Sequence, residues 1–158
     1  MQQKFNGMAK KTLSEGELAA WKSLLNAHAA AVGAIEGRLN AAHEIPLTWY
    51  DVLWAVRKQG DAHRLRFREL QEEIVLSRSA LSRLIDTLAK AGLVKKKPCA
   101  EDARGIDVEL TEKGHRALAS AWPVYSEGIA AHFAQHLSSE ECAQLAQILG
   151  KVEKAAGW

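Results

Sequence analysis

The chain has few cysteines, few prolines and no long apolar run. Its 2 cysteines, Cys99 and Cys142, are too few for a disulfide framework and lack the spacing of metal ligands. No apolar stretch approaches the roughly 20 residues that a membrane-spanning helix requires. The N-terminus also lacks a signal-peptide pattern. We therefore expect a cytoplasmic protein without a membrane partner.

Motifs that carry catalysis or bind nucleotides are missing as well. The chain contains no P-loop, no GxGxxG, no HExxH and no nucleophile elbow. His132 and His136 have the spacing of two zinc ligands on one helical face, but two ligands do not make a site. We expect neither an enzyme nor a bound cofactor or metal, and a sensing role for this histidine pair stays open.

What the sequence does contain is the composition of one globular domain. Its 158 residues are 47% hydrophobic and 25% charged, which allows a core of its own. The net charge is only +2, but the segment 64–104 holds ten Lys/Arg against six Asp/Glu. A local excess of positive charge suits contact with phosphates, although such a run is more often a solvated face.

The segment Ser77–Gly92 carries the clearest helical pattern. Ser77 is a natural N-cap and Gly92 a natural helix end. The apolar residues share one face at the spacing i, i+3, i+4 and i+7; they are Leu81, Leu84, Ile85 and Leu88. The polar residues cluster in the first two turns, the part of a DNA-reading helix that enters the major groove; they are Arg78, Ser79, Ser82 and Arg83. Alone, the pattern also suits an ordinary amphipathic helix.

The neighbouring segments predict a winged helix-turn-helix. Residues 65–67 suit a short strand, and residues 68–74 suit a two-turn helix that leads through a tight turn into the next helix. Residues 93–97 and 106–110 alternate as strands do, and the polar loop 98–105 between them contains turn-forming residues. Strand, helix, helix and β-hairpin follow one another in a winged helix, where the hairpin tip is the wing.

This stretch resembles the MarR family of bacterial transcription regulators. The resemblance rests on residues 79–88, Gly92-Leu93-Val94, Asp102-Ala103-Arg104 and residues 108–114, in that order. The family pattern is a serine/threonine-rich recognition helix that ends in leucine, then Gly-Leu-Val, a D-x-R wing and Leu-Thr-x-x-Gly. The flanking helices extend the resemblance over nearly the whole chain. It implies a mainly α fold, in which a winged helix-turn-helix with a small β-hairpin wing lies between N- and C-terminal dimerisation helices.

The resemblance also implies contacts with double-stranded operator DNA, whose half-sites would lie about one helical turn apart. We expect Ser79, Ser82 and Arg83 at base edges and nearby phosphates, and Arg78 and Ser77 at the backbone. In the wing, Arg104 matches the family arginine that enters the minor groove, and Asp102 orients it; a plain local ion pair is the alternative. Lys95, Lys96 and Lys97 alternate about their strand, so two of the three are expected to reach phosphate.

The terminal segments 14–39 and 115–156 are expected to form dimerisation helices around the winged helix-turn-helix 48–110, within one domain, 1–158. A capping box at Ser14 starts a heptad seam that suits packing along another helix or subunit. The resemblance implies a homodimer. We further expect Thr48 to cap a helix over 49–58, with Asp51 closing its capping box. Pro123 should kink or break the helix that starts at Thr111. A capping box at Ser138 should start a last helix that buries Cys142, Leu145, Leu149 and Val152.

Members of the family commonly respond to small phenolic or anionic ligands, and the resemblance implies a repressor released by such an effector. Trp21, His28, Trp49 and Asp51 are the candidates for its pocket, and ordinary core positions are the alternative for each tryptophan. In a urate-responsive branch, an arginine stands where this chain has Leu84. We expect Cys99 to be an exposed bystander thiol, with a redox switch as the alternative. A winged helix that binds protein instead of DNA is the competing hypothesis.

Overall fold

The computed structural model describes residues 12–59, 63–99 and 105–157. The described part is mainly helical, with one three-stranded antiparallel sheet of order β1-β3-β2, and it confirms the predicted fold class. In chain order the elements are α1 (Glu15–Ala41), α2 (Leu47–Arg57), β1 (Arg64–Arg66), α3 (Phe67–Glu73), α4 (Arg78–Lys90), β2 (Val94–Pro98), β3 (Ile106–Leu110), α5 (Glu112–His132), a 3-10 turn (Ala134–His136) and α6 (Ser139–Ala156). None of the helices in the described ranges is long and apolar enough to cross a membrane.

Side-chain caps start four of the helices, as the sequence predicts. The Oγ atoms of Ser14 and Ser138 accept the backbone N–H three residues ahead, at 3.2 Å in both cases, and glutamates complete both capping boxes. Ser77 caps α4 and Thr111 caps α5 in the same way. Each hydroxyl satisfies a backbone donor that the first helical turn leaves without a partner.

The elements of the winged helix-turn-helix share one core with the inner parts of α1 and α5. In the sheet, Leu65 of β1 pairs with Val108 of β3, and the side chains of both are buried. Three members of the apolar stripe of α4 are buried in the same core: Leu81, Ile85 and Leu88. Leu84, the fourth predicted member, is half-buried. This core holds α4 by one face and leaves its polar face in solvent.

The start of α5 is tied to the sheet by backbone contacts. The hydroxyl of Thr111 donates to the carbonyls of Gly92 and Leu93, at 2.7 and 3.0 Å. A Cβ atom at Gly114 would lie 2.3 Å from the carbonyl oxygen of Leu93, so only glycine fits there. Gly92 itself has φ +74°, a conformation that favours glycine, and ends α4 as predicted.

The terminal helices leave much of their apolar surface in solvent. The C-terminal half of α1 packs on α5, where Ile35 and Leu39 are buried. The N-terminal half of α1 and all of α6 contain no buried residue. Large apolar side chains of these segments are half or more exposed; they are Leu18, Trp21, Ile148 and Val152.

The terminal helices and α2 differ from the sequence expectations in three places. Within one chain the last helix does not bury the four predicted residues: Cys142, Leu145 and Leu149 are half-buried and Val152 is exposed. Of the kink or break predicted at Pro123, the break is absent, because α5 is continuous from Glu112 to His132. Helix α2 begins at Leu47 rather than after Thr48. Pro46 occupies the N-cap, and Glu36 of α1 accepts the N–H of Leu47 at 3.1 Å, which makes a side-chain cap unnecessary.

Candidate nucleic-acid interface

Helix α4 presents its polar residues on the side opposite the core. Arg78, Ser79, Ser82 and Arg83 are all exposed. Ser77 Oγ accepts the N–H of Ala80 at 3.2 Å and lies 3.3 Å from Ser79 Oγ, so the first turn of the helix is capped. The five residues predicted to contact DNA from this helix therefore lie together, on one accessible surface.

The three lysines of β2 divide between the two faces of the sheet. Lys96 faces α4, where its Nζ atom lies 2.5 Å from Asp86 Oδ1. Lys97 lies on the other face and pairs with Glu109 at 2.5 Å, and Lys95 stands opposite Glu109 in the register. The hydrogen bonds from Lys96 and Lys97 lower the pKa of Asp86 and of Glu109, respectively. All three lysines are exposed, as a surface for phosphates requires.

The two predicted residues of the wing tip, Asp102 and Arg104, lie outside the described residues. At the base of the wing, the N–H of Cys99 donates to the carbonyl of Gly105 at 3.0 Å. Cys99 is 7% exposed, so the prediction of an exposed thiol was wrong: the end of β2 packs this side chain inward.

Sequence reasoning missed several charged residues near this surface. Asp107 is 4% exposed and lies 3.5 Å from Arg64 Nε, while its Oδ1 atom has no hydrogen-bond donor within the described part of the chain. Arg66 and Arg68, at the start of α3, line one cavity together with Arg78 of α4. The arginines at every second position of the segment 64–68 could have indicated a basic surface, but residue spacing does not show which helix these side chains approach.

The candidate effector residues do not form one pocket within a single chain. Trp21 is 58% exposed and His28 is also exposed, both on the outer half of α1. Trp49 is half-buried on α2. Asp51 lines a cavity of about 300 Å³ between α2, α3 and the turn before α4, and neither α1 residue contributes to it.

The Asp51 carboxyl group has an unusual environment for an exposed residue. The residue as a whole is exposed, yet its carboxyl group is partly removed from water, and this burial together with the charge of Glu36 raises its pKa. Close by, four aromatic rings of α2 and α5 form a cluster in which Tyr50 and Tyr125 meet edge to face at 4.9 Å. The other two members are Trp54 and Trp122. The sequence analysis did not identify this cluster.

The predicted geometry of the histidine pair was wrong. Helix α5 ends at His132, and Phe133 leaves the helical conformation with φ −141°. His136 lies in the following 3-10 turn, where its Nε2 atom is 3.1 Å from the carbonyl of Ala131. The two imidazoles therefore do not share one helical face. Within the described residues, no group of three or more His, Cys, Asp or Glu side chains has the arrangement of a metal site.

Comparison with known proteins gives a consistent result. The model of the MarR family matches residues 43–105. The HTH-type transcriptional regulator PecS of Dickeya dadantii is 25% identical over 105 residues, which are 66% of this chain and 63% of that relative. The matched region therefore spans less than two thirds of the length of PecS.

Solved structures share the fold over nearly the whole chain. Sco3205, a MarR family transcriptional regulator of Streptomyces coelicolor solved in complex with DNA, has a TM-score of 0.86 at 24% identity, covering 94% of this chain and 92% of that one. The organohalide-sensing regulator RdhR, in its 2,4-dichlorophenol-bound form, has a TM-score of 0.77 at 17% identity, covering 98% and 89%. At these identities the structures establish the fold alone. Together with the family model and PecS, they show that residues 43–105 of this chain are similar to the MarR family of transcriptional regulators, and that nearly the whole chain shares the fold of solved members.

Proposed function

We propose that this protein is a sequence-specific transcription regulator that binds double-stranded DNA as a homodimer. The proposal rests on how α4 is packed. Three buried side chains hold one face of the helix in the core, and the polar side chains of its first two turns are exposed to solvent. A helix presented in this way can enter a major groove without rearrangement. The lysine strand β2 lies beside it and supplies charge for phosphates.

Within this proposal, the residues of α4 have different roles. Ser79, Ser82 and Arg83 contact base edges and nearby phosphates, and Arg78 contacts the backbone, as does Ser77. Arg104 of the wing enters the minor groove and is oriented by Asp102, an assignment that rests on the family resemblance.

Replacing Arg104 by alanine is expected to weaken operator binding strongly without changing the oligomeric state. Equal affinities of the two proteins would remove the wing from the mechanism.

Selection from random duplexes, followed by a gel shift at physiological salt, tests DNA binding directly. A regulator yields a discrete complex whose affinity falls with salt at a log–log slope of roughly −0.9 per phosphate neutralised. A winged helix that binds only protein would give no discrete complex and almost no salt dependence. The two outcomes therefore separate the proposal from its competing hypothesis.

The homodimer is supported by the uncovered helices. The outer half of α1 and the whole of α6 expose large apolar side chains, among them Trp21 at 58% and Val152 at 58%. Segments 14–39 and 115–156 would form the dimer, and segment 48–110 would carry the DNA-binding surface. Exposed apolar area of this kind favours association with a complementary copy. Sedimentation equilibrium is expected to give twice the chain mass of 17.3 kDa.

A small effector is the third part of the proposal, and we propose that it releases a repressor from its operator. In the proposed dimer, Trp21 and His28 of one protomer would approach the region around Trp49 and Asp51 in the other protomer. The dichlorophenol-bound form of RdhR supports a phenolic ligand.

Titration with 2,4-dichlorophenol is expected to quench tryptophan fluorescence and to release DNA. Replacing Trp21 by phenylalanine should weaken both effects, and the same change at Trp122 is the control. A Trp21→Phe variant that responds as the wild type does would remove this residue from the pocket.

A further inference from the structure

A cavity of about 360 Å³ opens between the recognition helix α4, the start of α3 and strand β2. Basic side chains from these three elements and from the end of β1 line it; they are Arg66 of β1, Arg68, Arg78 and Lys96. Ser82 and Gln71 add neutral hydrogen-bonding groups, while Phe67 and Ile85 provide an apolar floor. Segments distant in sequence thus place their cations around one opening.

The positive charge of this cavity is only partly neutralised. Among the lining residues that the structure describes, Asp86 is the single carboxylate, and it is already paired with Lys96 at 2.5 Å. Arg68 and Arg78 are exposed, and neither forms an ion pair with any residue in the ranges that the structure describes. Two guanidinium groups are therefore available for an anion.

The cavity also divides the polar face of α4 into two rows. Arg78, Ser82 and Asp86 follow one another at a spacing of four, so they share the row that lines the cavity. Ser79 and Arg83 form the adjacent row and do not line it. One row thus faces a basic pocket while the other remains free to meet base edges.

We propose that this cavity is a phosphate subsite, in which Arg68 and Arg78 together bind one backbone phosphate of the DNA strand beside the major groove. The guanidinium fork matches phosphate oxygens in a bidentate geometry, and Ser82 donates a further hydrogen bond. The apolar floor suits the adjoining sugar. Contacts of this kind set the position and register of a recognition helix on the duplex. The inference rests on the DNA-binding function proposed above.

Neutralising single phosphates in the DNA tests this assignment. A duplex selected with the wild-type protein is prepared as a series in which one phosphate at a time is replaced by an uncharged methylphosphonate. We expect one position in each half-site at which the wild type loses affinity by about tenfold or more. The double variant Arg68→Gln/Arg78→Gln should be insensitive at that position and remain sensitive at the others. Arg116→Gln, at an exposed arginine on α5, is the matched control and should keep the wild-type profile.

The outcomes separate this inference from the proposed function. If the wild type binds no duplex, DNA binding itself fails. If the wild type binds but the double variant keeps the same sensitivity at every phosphate, the subsite is overturned while DNA binding stands. Thermal unfolding of the variants verifies that they fold, as expected for two exposed side chains.

Free phosphate is the other possible source of the anion, and side-chain NMR of the arginine Nε–H groups distinguishes it. Inorganic phosphate is titrated at constant ionic strength in the absence of DNA. Saturable shifts of Arg68 and Arg78, combined with no loss of sensitivity in the methylphosphonate series, would identify a free-anion site and overturn the DNA assignment. The expected result is a position-specific loss on DNA with only weak, unsaturated shifts in free phosphate.

Discussion

The winged-helix half and the terminal helices contain the same kind of amphipathic helix, yet only the first covers its apolar faces within one chain. In α4, Leu81 and Leu88 are 0% exposed. In α6, Ile148 is 55% exposed, although its helix has a complete capping box. Good local signals therefore form both helices, but tertiary burial stabilises only one of them in a single chain. The winged-helix half is thus covered within the chain, by its own elements and by the inner parts of α1 and α5, whereas the terminal helices leave apolar faces open to the second copy of the proposed homodimer.

The largest expected effect comes from a truncation in the core of the winged-helix half. Leu81→Ala should lower the free energy of unfolding by about 2–5 kcal/mol, because it leaves a cavity among fully buried side chains. Ile148→Ser is its counterpart in α6 and should instead weaken dimerisation and make the melting temperature depend more steeply on protein concentration. Denaturant unfolding and sedimentation measure the two effects. A large loss of monomer stability in Ile148→Ser would contradict the comparison.

A second pair of variants compares two glycines. Gly114→Ala places a methyl group 2.3 Å from the Leu93 carbonyl oxygen and should destabilise the protein by about 1–3 kcal/mol or more. Gly150 of α6 has no atom within 4 Å of the corresponding position. Gly150→Ala should therefore raise helix stability by up to about 1 kcal/mol, measured by thermal unfolding. A destabilised Gly150→Ala variant would mean that a second copy packs closely on this site.

A third test concerns binding rather than stability. Arg83→Ala should cost about 1–3 kcal/mol of binding free energy at its preferred base pair and relax the sequence preference there. Lys90→Gln, near the end of the same helix, is the control and should leave the preference unchanged. Selection from random duplexes with both variants measures the effect. A uniform loss across all sequences would make Arg83 a phosphate contact.

The smallest effect is expected at Asp51, on the helix that touches both halves. Because burial and Glu36 raise the pKa of this carboxyl group in the folded state, its ionised form costs stability as the pH rises through that pKa. Asp51→Asn should therefore be slightly more stable at neutral pH, by no more than about 0.5 kcal/mol. The difference should disappear as the pH falls below the ordinary pKa of 3.8. Urea unfolding at several pH values measures it, and equal stability at neutral pH would contradict it.

Local features of the sequence were predicted well. The caps at Ser14, Ser77 and Ser138 and the apolar stripe of α4 depend on neighbouring residues, so periodicity and hydrogen-bonding chemistry identify them. The start of α2 was not predictable in this way, because a carboxylate from another helix, that of Glu36, satisfies its first donor. The burial of Cys99 likewise depends on packing between distant segments.

The candidate DNA surface was predicted only as a set of residues. The position of Arg68 beside the row of Arg78 and Ser82 results from the packing of α3 next to α4, which no spacing along the chain reveals. The outward position of Trp21 has a related cause. A seam of apolar residues indicates that a helix packs on something, but it does not indicate which chain supplies the other surface.

The attachment of α5 has a mechanical consequence. Its first turn is locked to the sheet by Thr111 and by the close approach at Gly114, and the helix then continues without a break for 21 residues. Its length is therefore roughly 30 Å. If the helix tilts as one unit, a change of about 5° at its far end displaces its base by roughly 2.6 Å, close to the rise of one base pair, about 3.4 Å. In the proposed dimer, a small rearrangement among the terminal helices would thus shift the DNA-binding surface by nearly the spacing of one base pair.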